Sequence, residues 1–333
     1  MNIDDAEIRT MIDRERARSF GALNGVVSVL GGIRSDDVRK VGESFKIAMN
    51  RVFLLQGLPS AMQRYGQFEM EGALQIASRV FEYTALHRSA PSEEDAARIN
   101  KEVQEHLQSE LGFDPNVIKD RDVADYRVLL QMSAHPAVAM GYDAHRAAVL
   151  IQGWMCFEVL CGDLWTPAVN ASPNVLGRNV NAALPKDEKM NWDDVARARF
   201  DLRHKIGSVF ARRISFQSLE KIRRAFQWAF ADDYKPLLKD IFDDPALIRV
   251  EKCRHLLVHR GGRVDSAFAQ AAENDRLWGK VAVGDELKIS ESIATDSWTA
   301  AANAGSNLLS AVNSWLMAHV ESPRPEVEAD FEI

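Results

Sequence analysis

The chain has little cysteine: only Cys156, Cys161 and Cys253 occur among its 333 residues. An odd, widely spaced set does not match the even, closely spaced pattern of a disulfide-stapled fold. We therefore expect a reducing compartment, the cytoplasm. The first seven residues are acidic and polar, whereas an export signal opens with basic residues followed by an apolar run, so no such signal is expected.

Long uninterrupted apolar runs are lacking as well. The most apolar stretch covers residues 147–165, and Gln152, Glu158 and Asp163 interrupt it. A membrane span needs about 20 predominantly apolar residues. The stretch therefore predicts a buried helix and not a membrane anchor.

Several common enzyme motifs are missing. The sequence has no G-x-x-x-x-G-K-[ST] loop, no G-x-G-x-x-G, no G-x-S-x-G and no pair of C-x-x-C motifs. Their absence argues against the common nucleotide hydrolases, dinucleotide enzymes, α/β-hydrolases and zinc ribbons. We expect no cofactor and no bound metal.

The net charge of -7 argues against a protein that coats nucleic acid non-specifically, because that binding depends on neutralising phosphates. The charge is uneven, however, since residues 197–224 hold nine basic and two acidic residues. This stretch is interpreted either as a solvated helical face or as a track for an RNA backbone. The aromatic residues in and beside it (Trp192, Phe200, Phe210 and Phe216) have helical spacing and are predicted to be core.

Helical periodicity and capping signals dominate the chain, and they predict an all-α protein: a helical bundle preceded by a second helical domain, with at most one small β-hairpin. The predicted domains are an N-terminal helical domain of unknown role, for which regulation is one candidate (1–138), a helical domain (140–320) and an acidic disordered tail (321–333). The predicted helices in the first part cover residues 4–30, 36–56, 60–88, 93–111 and 115–134.

In the second part, we predict a helix at 144–165, a loop rich in proline, asparagine and glycine at 166–191, and a basic helical region up to 210. Ser215 is predicted to cap a helix at 216–231 with an apolar stripe. Asp244 and Pro245 predict the start of another helix, and Gly261-Gly262 its end. Residues 280–289 suggest a hairpin, and a final helix is predicted at 297–320.

The segment Arg254-His255-Leu256-Leu257-Val258-His259 lies at the predicted end of that helix. An arginine followed by four residues and a histidine resembles the R-x(4-6)-H motif of HEPN-domain ribonucleases. The resemblance covers about residues 140–320 and includes the glycine stop and the all-helical flanks. It implies a HEPN-like fold and metal-independent cleavage of RNA, in the setting of a toxin or an antiviral effector.

The residue types suit that reaction. A histidine can move a proton near neutral pH, and an arginine stays charged and can stabilise a phosphorane-like transition state. The resemblance implies that His259 is the catalytic histidine, Arg254 the phosphate stabiliser and His255 a secondary polar residue. Glu158 is predicted to support an arginine of the motif helix. Further candidates for substrate binding are Arg260, Arg263, Arg212 and Arg213.

Arg254 and His259 are five residues apart, which is about 140° around a regular helix, so one chain alone is predicted to make a poor site. HEPN ribonucleases commonly pair two motifs across a dimer interface, so the resemblance implies a homodimer. It also implies RNA as a partner and an inhibitory or activating partner protein.

Other interpretations stay open. Arg254 could pair with Glu251 or Asp265 while His259 caps its helix, which would make the motif structural. His255 and His259 share a helix face and could bind a metal. The chain could also be a helical module that binds RNA or a protein without cleaving anything.

Overall fold

The computed structural model describes residues 4–110, 115–202, 204–272, 278 and 281–319. Within these residues the secondary structure is helical, and β-pairing is limited to one isolated antiparallel bridge between Arg263 and Glu286. The all-α prediction is therefore confirmed for the described part of the chain. The predicted acidic tail at 321–333 lies outside the described residues.

The chain divides into two units. The first consists of the described residues up to Arg16 together with Leu54–Tyr142, and the second of Ala17–Phe53 together with the described residues from Asp143 onward. Residues 17–53, predicted as part of the N-terminal domain, thus belong to the second unit. Contacts between aromatic rings give the reason, because Phe53 packs against both Phe20 and Trp298.

The N-terminal half of the chain forms four helices: α1 (Asp5–Gly31), α2 (Asp36–His87), α3 (Glu93–Glu110) and α4 (Pro115–Met132). The predicted break at 56–60 is wrong, because α2 continues through Pro59. A proline removes one amide donor from a helix, and residues on both sides can keep the helical path. Ser92 caps the start of α3, since its hydroxyl accepts from the amide of Asp95 at 3.1 Å.

The central helix α5 (Pro136–Ala171) is longer than predicted, and its buried residues include Trp154, Phe157 and Trp165. Its most apolar 18-residue window has a mean hydropathy of 1.4 and is 50% buried. By length and composition alone, it is the one helix in the described ranges able to cross a membrane. The core helix of a soluble protein meets the same criterion.

The predicted loop at 166–191 is largely wrong. The chain stays helical to Ala171, forms a π-helical turn (Pro173–Gly177) and continues into α6 (Arg178–Ala183). Val169, Leu176 and Val180 are fully buried there. The burial of these apolar side chains outweighs the turn-forming tendency of the asparagines and the proline between them.

The basic stretch is also less regular than predicted. It begins at the end of α7 (Trp192–Arg197), contains α8 (Ile206–Ala211) and ends within α9 (Leu219–Phe230). The cap of α9 is Ser218 and not Ser215, since the Ser218 hydroxyl accepts from the amide of Lys221 at 3.3 Å. The predicted apolar stripe is confirmed as core at Leu219, Ile222, Phe226 and Phe230.

Short helices then lead to the motif helix and the end of the bundle. The short elements before the motif helix are a 3-10 turn (Ala231–Asp233), α10 (Tyr234–Leu237) and α11 (Lys239–Phe242). The motif helix is α12 (Pro245–His259), and the short α13 (Ser266–Ala272) and the long α14 (Glu291–Ala318) follow it. Helix α12 packs on α14, and α14 lies close to α5, because a Cβ on Gly153 would approach the Cβ of Trp298 to 2.8 Å. The three cysteines are buried and free.

Among the described residues 281–289, the predicted hairpin does not pair with itself. A turn at Ala282–Asp285 is present, with the amide of Asp285 donating to the carbonyl of Ala282 at 3.1 Å. The following residues pair with the segment after α12 instead: the amide of Leu287 donates to the carbonyl of Gly262 at 2.8 Å. Sequence patterns report local alternation and do not identify a distant partner strand.

Candidate functional site

The motif helix α12 begins and ends where local signals predict. The carboxylate of Asp244 accepts from the amide of Ala246 at 2.8 Å, and Pro245 is the first helical residue. At the other end, Gly261 and Gly262 have φ values of +59° and +77°, a left-handed conformation that glycine adopts without a steric penalty. The amide of Gly262 donates to the carbonyl of Leu256 at 3.0 Å, which closes the helix end.

Two faces of α12 have different surroundings. Leu247, Val250, Cys253 and Leu256 are buried. On another face, Glu251, His255 and His259 follow at intervals of four residues, a spacing that aligns side chains along a helix. The helix therefore presents an acidic group and two imidazoles in one row.

That row lines a cleft of about 670 Å³. The cleft is formed by residues of α5, the start of α9, α12 and the region of α13. Its lining residues are Glu158, Gln217, Ser218, Lys221, Glu251, Lys252, Arg254, His255, Leu256, His259, Asp265, Ala267 and Phe268. Arg254, His255 and His259 thus border one space within a single chain, although the helical spacing of Arg254 and His259 predicts side chains that diverge.

The guanidinium of Arg254 contacts one carboxylate and keeps a hydrogen-bond donor without a partner in the described part of the chain. Its Nη2 atom lies 3.8 Å from Oε2 of Glu158, and both side chains are 20% exposed. The same Glu158 oxygen accepts a hydrogen bond of 2.8 Å from Nε1 of Trp154. The Nε atom of Arg254 is buried and has no hydrogen-bond partner among the residues that the structure describes. The guanidinium is therefore oriented by Glu158 while it keeps donors for another acceptor.

These contacts can be compared with the interpretation that Arg254 has only a structural role and pairs with Glu251 or Asp265. The predicted pairing of Glu158 with an arginine of the motif helix is confirmed, whereas the other two carboxylates have different main partners. Glu251 accepts from the amide of Leu219 at 2.6 Å, and Asp265 accepts from the amide of Phe268 at 2.8 Å. Each of these two carboxylates caps the start of a helix.

The two histidines are exposed and adjacent. The ring centroids of His255 and His259 are 5.1 Å apart and the rings are inclined by 51°. Within the described ranges, neither side chain makes a hydrogen bond, so both imidazoles can meet a ligand from the cleft. Among these same residues, no three histidine, cysteine, aspartate or glutamate side chains form a group able to hold a metal.

Four predicted substrate-binding arginines do not line the cleft. Arg263 donates to the carbonyl of Gly284 at 3.2 Å, Arg213 pairs with Asp194, Arg260 is the residue after α12, and Arg212 is exposed after α8. The cleft instead contains Lys221 and Lys252, which sequence reasoning missed. Lys252 lies two residues before the motif and Lys221 lies within the basic stretch, so position alone could have suggested both.

The basic stretch is not one free positive face. Four of its members form ion pairs within the chain: Lys205 with Asp201, Arg213 with Asp194, Arg223 with Asp243, and Arg224 with Glu220. An RNA track along the whole stretch would have to compete with these pairs. Fewer cationic residues of this stretch are therefore available to a ligand than the sequence suggests.

The pKa of the Glu251 carboxyl, which lines the cleft, is raised above its ordinary value. Burial raises the pKa of its carboxyl, while the amide of Leu219 and the charges of Arg223, Arg254 and His255 act in the opposite direction. A raised folded-state pKa favours the protonated carboxyl. The protonated Glu251 carboxyl contributes fully to the stability of the fold below its unfolded-state pKa, and this contribution is lost as pH rises through its folded-state pKa.

We expect Glu251→Gln to become more stable relative to the parent protein as pH rises through that range. The glutamine oxygen can still accept from Leu219, and it cannot ionise. Urea unfolding of both proteins at a series of pH values from 4 to 8 measures the difference in the free energy of unfolding.

Asp95→Asn is the control, and its relative stability should change with pH in the opposite direction, because hydrogen bonds from Ser92 and Tyr83 lower the pKa of Asp95. The parent protein should become more stable than Asp95→Asn as pH rises through the acid range. A stability advantage of the parent over Glu251→Gln that grows with pH would contradict the expectation.

Comparison of the chain with protein-family models, with curated proteins and with solved structures finds no match. The resemblance to HEPN ribonucleases is therefore a prediction from the motif residues alone.

Proposed function

We propose that this chain is a metal-independent endoribonuclease whose active site is the cleft at the end of α12. The observation that supports this most directly is the joint position of Arg254, His255 and His259 on one cleft of about 670 Å³. The imidazoles are exposed there and make no hydrogen bond to the described residues, and the arginine keeps an unpartnered donor.

The chemistry requires only these side chains and the RNA. His259 removes the proton from a ribose 2′-hydroxyl, and the 2′-oxygen forms a bond to the adjacent phosphorus. The bond from phosphorus to the 5′-oxygen then breaks, and His255 supplies the proton that this oxygen takes up. The products are a 2′,3′-cyclic phosphate and a 5′-hydroxyl. DNA lacks the nucleophile and is not a substrate.

Arg254 stabilises the negative charge that develops on the phosphorane-like transition state. Its guanidinium stays protonated and offers several directed donors. Lys221 and Lys252 add positive charge at the border of the same cleft. Glu158 and its bond from Trp154 hold the guanidinium in position without covering it.

The similarity to HEPN ribonucleases extends the proposal to the biological setting. On that basis alone, the chain acts in the cytoplasm as a homodimer, as a toxin or antiviral effector that a partner protein restrains or activates. The geometric reason for a dimer is weaker than the sequence suggests, because the three motif side chains already share one cleft in a single chain.

The test is incubation of the purified full-length protein with single-stranded RNA, in EDTA, beside a DNA of the same sequence. We expect RNA cleavage, 2′,3′-cyclic phosphate ends and intact DNA. Activity that disappears with EDTA and returns with a divalent cation would overturn the mechanism. RNA binding without any cleavage would favour the non-catalytic module over the enzyme.

A further inference from the structure

Two aromatic side chains, one in the basic stretch and one beside it, are exposed, contrary to the prediction that they are core. Trp192 is 72% exposed and Phe200 is 65% exposed. Their ring centroids are 5.6 Å apart and the rings are inclined by 63°. Phe210 is buried, and Phe216 packs edge-on against Trp165, so the core prediction fails at Trp192 and Phe200 alone within this set. Exposing two large apolar rings side by side is unfavourable unless a ligand covers them.

The backbone holds the pair together. Trp192 is the first residue of α7, which starts with a reciprocal capping box between Asn191 and Asp194. After α7 ends, the amide of Phe200 donates to the carbonyl of Val195 at 3.0 Å, which turns the chain back along the helix. Arg199 and Phe200 both have a φ of +58°, a conformation that is costly for residues with a Cβ.

An ion pair at the start of α7 also fixes the position of the aromatic pair. Asp194 is 7% exposed and pairs with the guanidinium of Arg213. Arg213 is four residues before Gln217, which lines the cleft. Four extended residues span at most about 14 Å, so the anchor of the aromatic pair lies close to the proposed active site.

Charges of both signs lie near the rings in the sequence: Asp193 and Asp201 directly follow Trp192 and Phe200, and Asp201 pairs with Lys205. Arg197 and Arg199 lie three residues and one residue before Phe200 and are exposed, and the exposed Arg212 precedes the anchoring Arg213. In the part of the chain that the structure describes, Arg199 and Arg212 make no ion pair. Exposed aromatic faces combined with unpaired arginines are the combination that binds unpaired nucleotides, since bases stack on the rings and phosphates meet the cations.

We propose that Trp192 and Phe200 form a stacking platform for unpaired bases of single-stranded RNA, with Arg199 contacting the backbone of the same strand. The inference rests on the proposed function for the choice of RNA as the ligand. It adds a substrate class, because a duplex keeps its bases stacked internally and cannot use the platform. A platform beside the cleft selects unpaired segments for cleavage.

The test measures binding without cleavage. The probe is a fluorescein-labelled 12-nucleotide 2′-O-methyl RNA, whose blocked 2′-oxygen cannot attack phosphorus, and anisotropy gives the dissociation constant for the full-length protein. We expect the single strand to bind more tightly than the same sequence in a duplex. Trp192→Ala and Phe200→Ala should each weaken binding roughly 5- to 100-fold, and Trp192→Phe should retain most of it.

Phe81→Ala is the matched control, since Phe81 is an aromatic residue of α2 that is 75% exposed and lies in the other unit. It should leave the dissociation constant unchanged. Arg199→Ala should lower the slope of log affinity against log salt concentration by about 0.7, the value for one phosphate contact to a single strand. Circular dichroism should show the parent helical content in every variant.

Several outcomes would overturn the platform: no measurable binding of the single strand, equal binding of strand and duplex, or unchanged binding by Trp192→Ala and Phe200→Ala. These results are separate from the cleavage assay. If the oligonucleotide binds through Trp192 but natural RNA stays intact, the platform stands and the proposed nuclease fails. If RNA is cut and neither aromatic substitution changes binding, the proposed nuclease stands and the platform fails.

Discussion

Replacing His259 by alanine is expected to lower the rate of RNA cleavage by about 10²- to 10⁴-fold, the range for loss of a positioned acid or base. His259 is exposed at the last residue of α12, so its removal leaves no cavity and the fold should be retained. The measurement is the rate of appearance of 2′,3′-cyclic phosphate ends under single-turnover conditions with saturating protein.

His87→Ala is a matched control for this substitution. His87 is also exposed, is also the last residue of its helix, and also lies beside a ring four residues earlier, with Tyr83 at a centroid distance of 4.3 Å. It lies in the other unit, far from the motif in sequence. Equal loss of activity in both variants, or no loss in His259→Ala, would show that His259 does not take part in the reaction.

The second large effect concerns Arg254. We expect Arg254→Ala to lower the cleavage rate constant by about 10²- to 10³-fold, because a donor directed at developing charge acts mainly in the transition state. Binding of the uncleavable 2′-O-methyl RNA should change much less, since interactions specific to the transition state affect the rate constant more than the affinity. Parallel measurement of both quantities separates this role from simple phosphate binding.

Arg254→Lys should restore only part of the rate, because a lysine keeps the charge and loses the planar set of donors. Arg39→Ala provides the control, since Arg39 is 45% exposed and pairs with Asp36 at the start of α2. If affinity and rate constant fall by the same factor in Arg254→Ala, Arg254 binds the ground state as well as the transition state, and the transition-state role would have to be abandoned.

Local sequence signals predict α12 well. A cap, a proline at the first position and two glycines after the end determine its bounds without help from distant residues. The pairing of Arg254 with Glu158 could also be predicted, because Glu158 is an acid within the apolar stretch of α5, four residues after Trp154. For these features, the chemistry of a few neighbouring residues is decisive.

Other features depend on the tertiary structure. The spacing of Trp192 and Phe200 resembles that of core residues, and only the reversal of the chain after α7 places both rings on the surface. Lys221 and Glu251 reach one cleft because the start of α9 meets α12, which no pattern in either segment indicates. Likewise, residues 17–53 join the second unit through Phe53 and its contact with Trp298.

The connection between the end of α12 and the segment around Leu287 has a consequence for folding. The carbonyl of Gly262 accepts from the amide of Leu287, and the amide of Gly284 donates to the carbonyl of Val264 at 2.8 Å. Helical hydrogen bonds form between close neighbours, whereas these bonds must first close a long loop against its entropy. The pairing of residues 262–264 with residues 284–287 should therefore form after the helices, so a chain that has just acquired its helical content still lacks the ordered segment that follows α12.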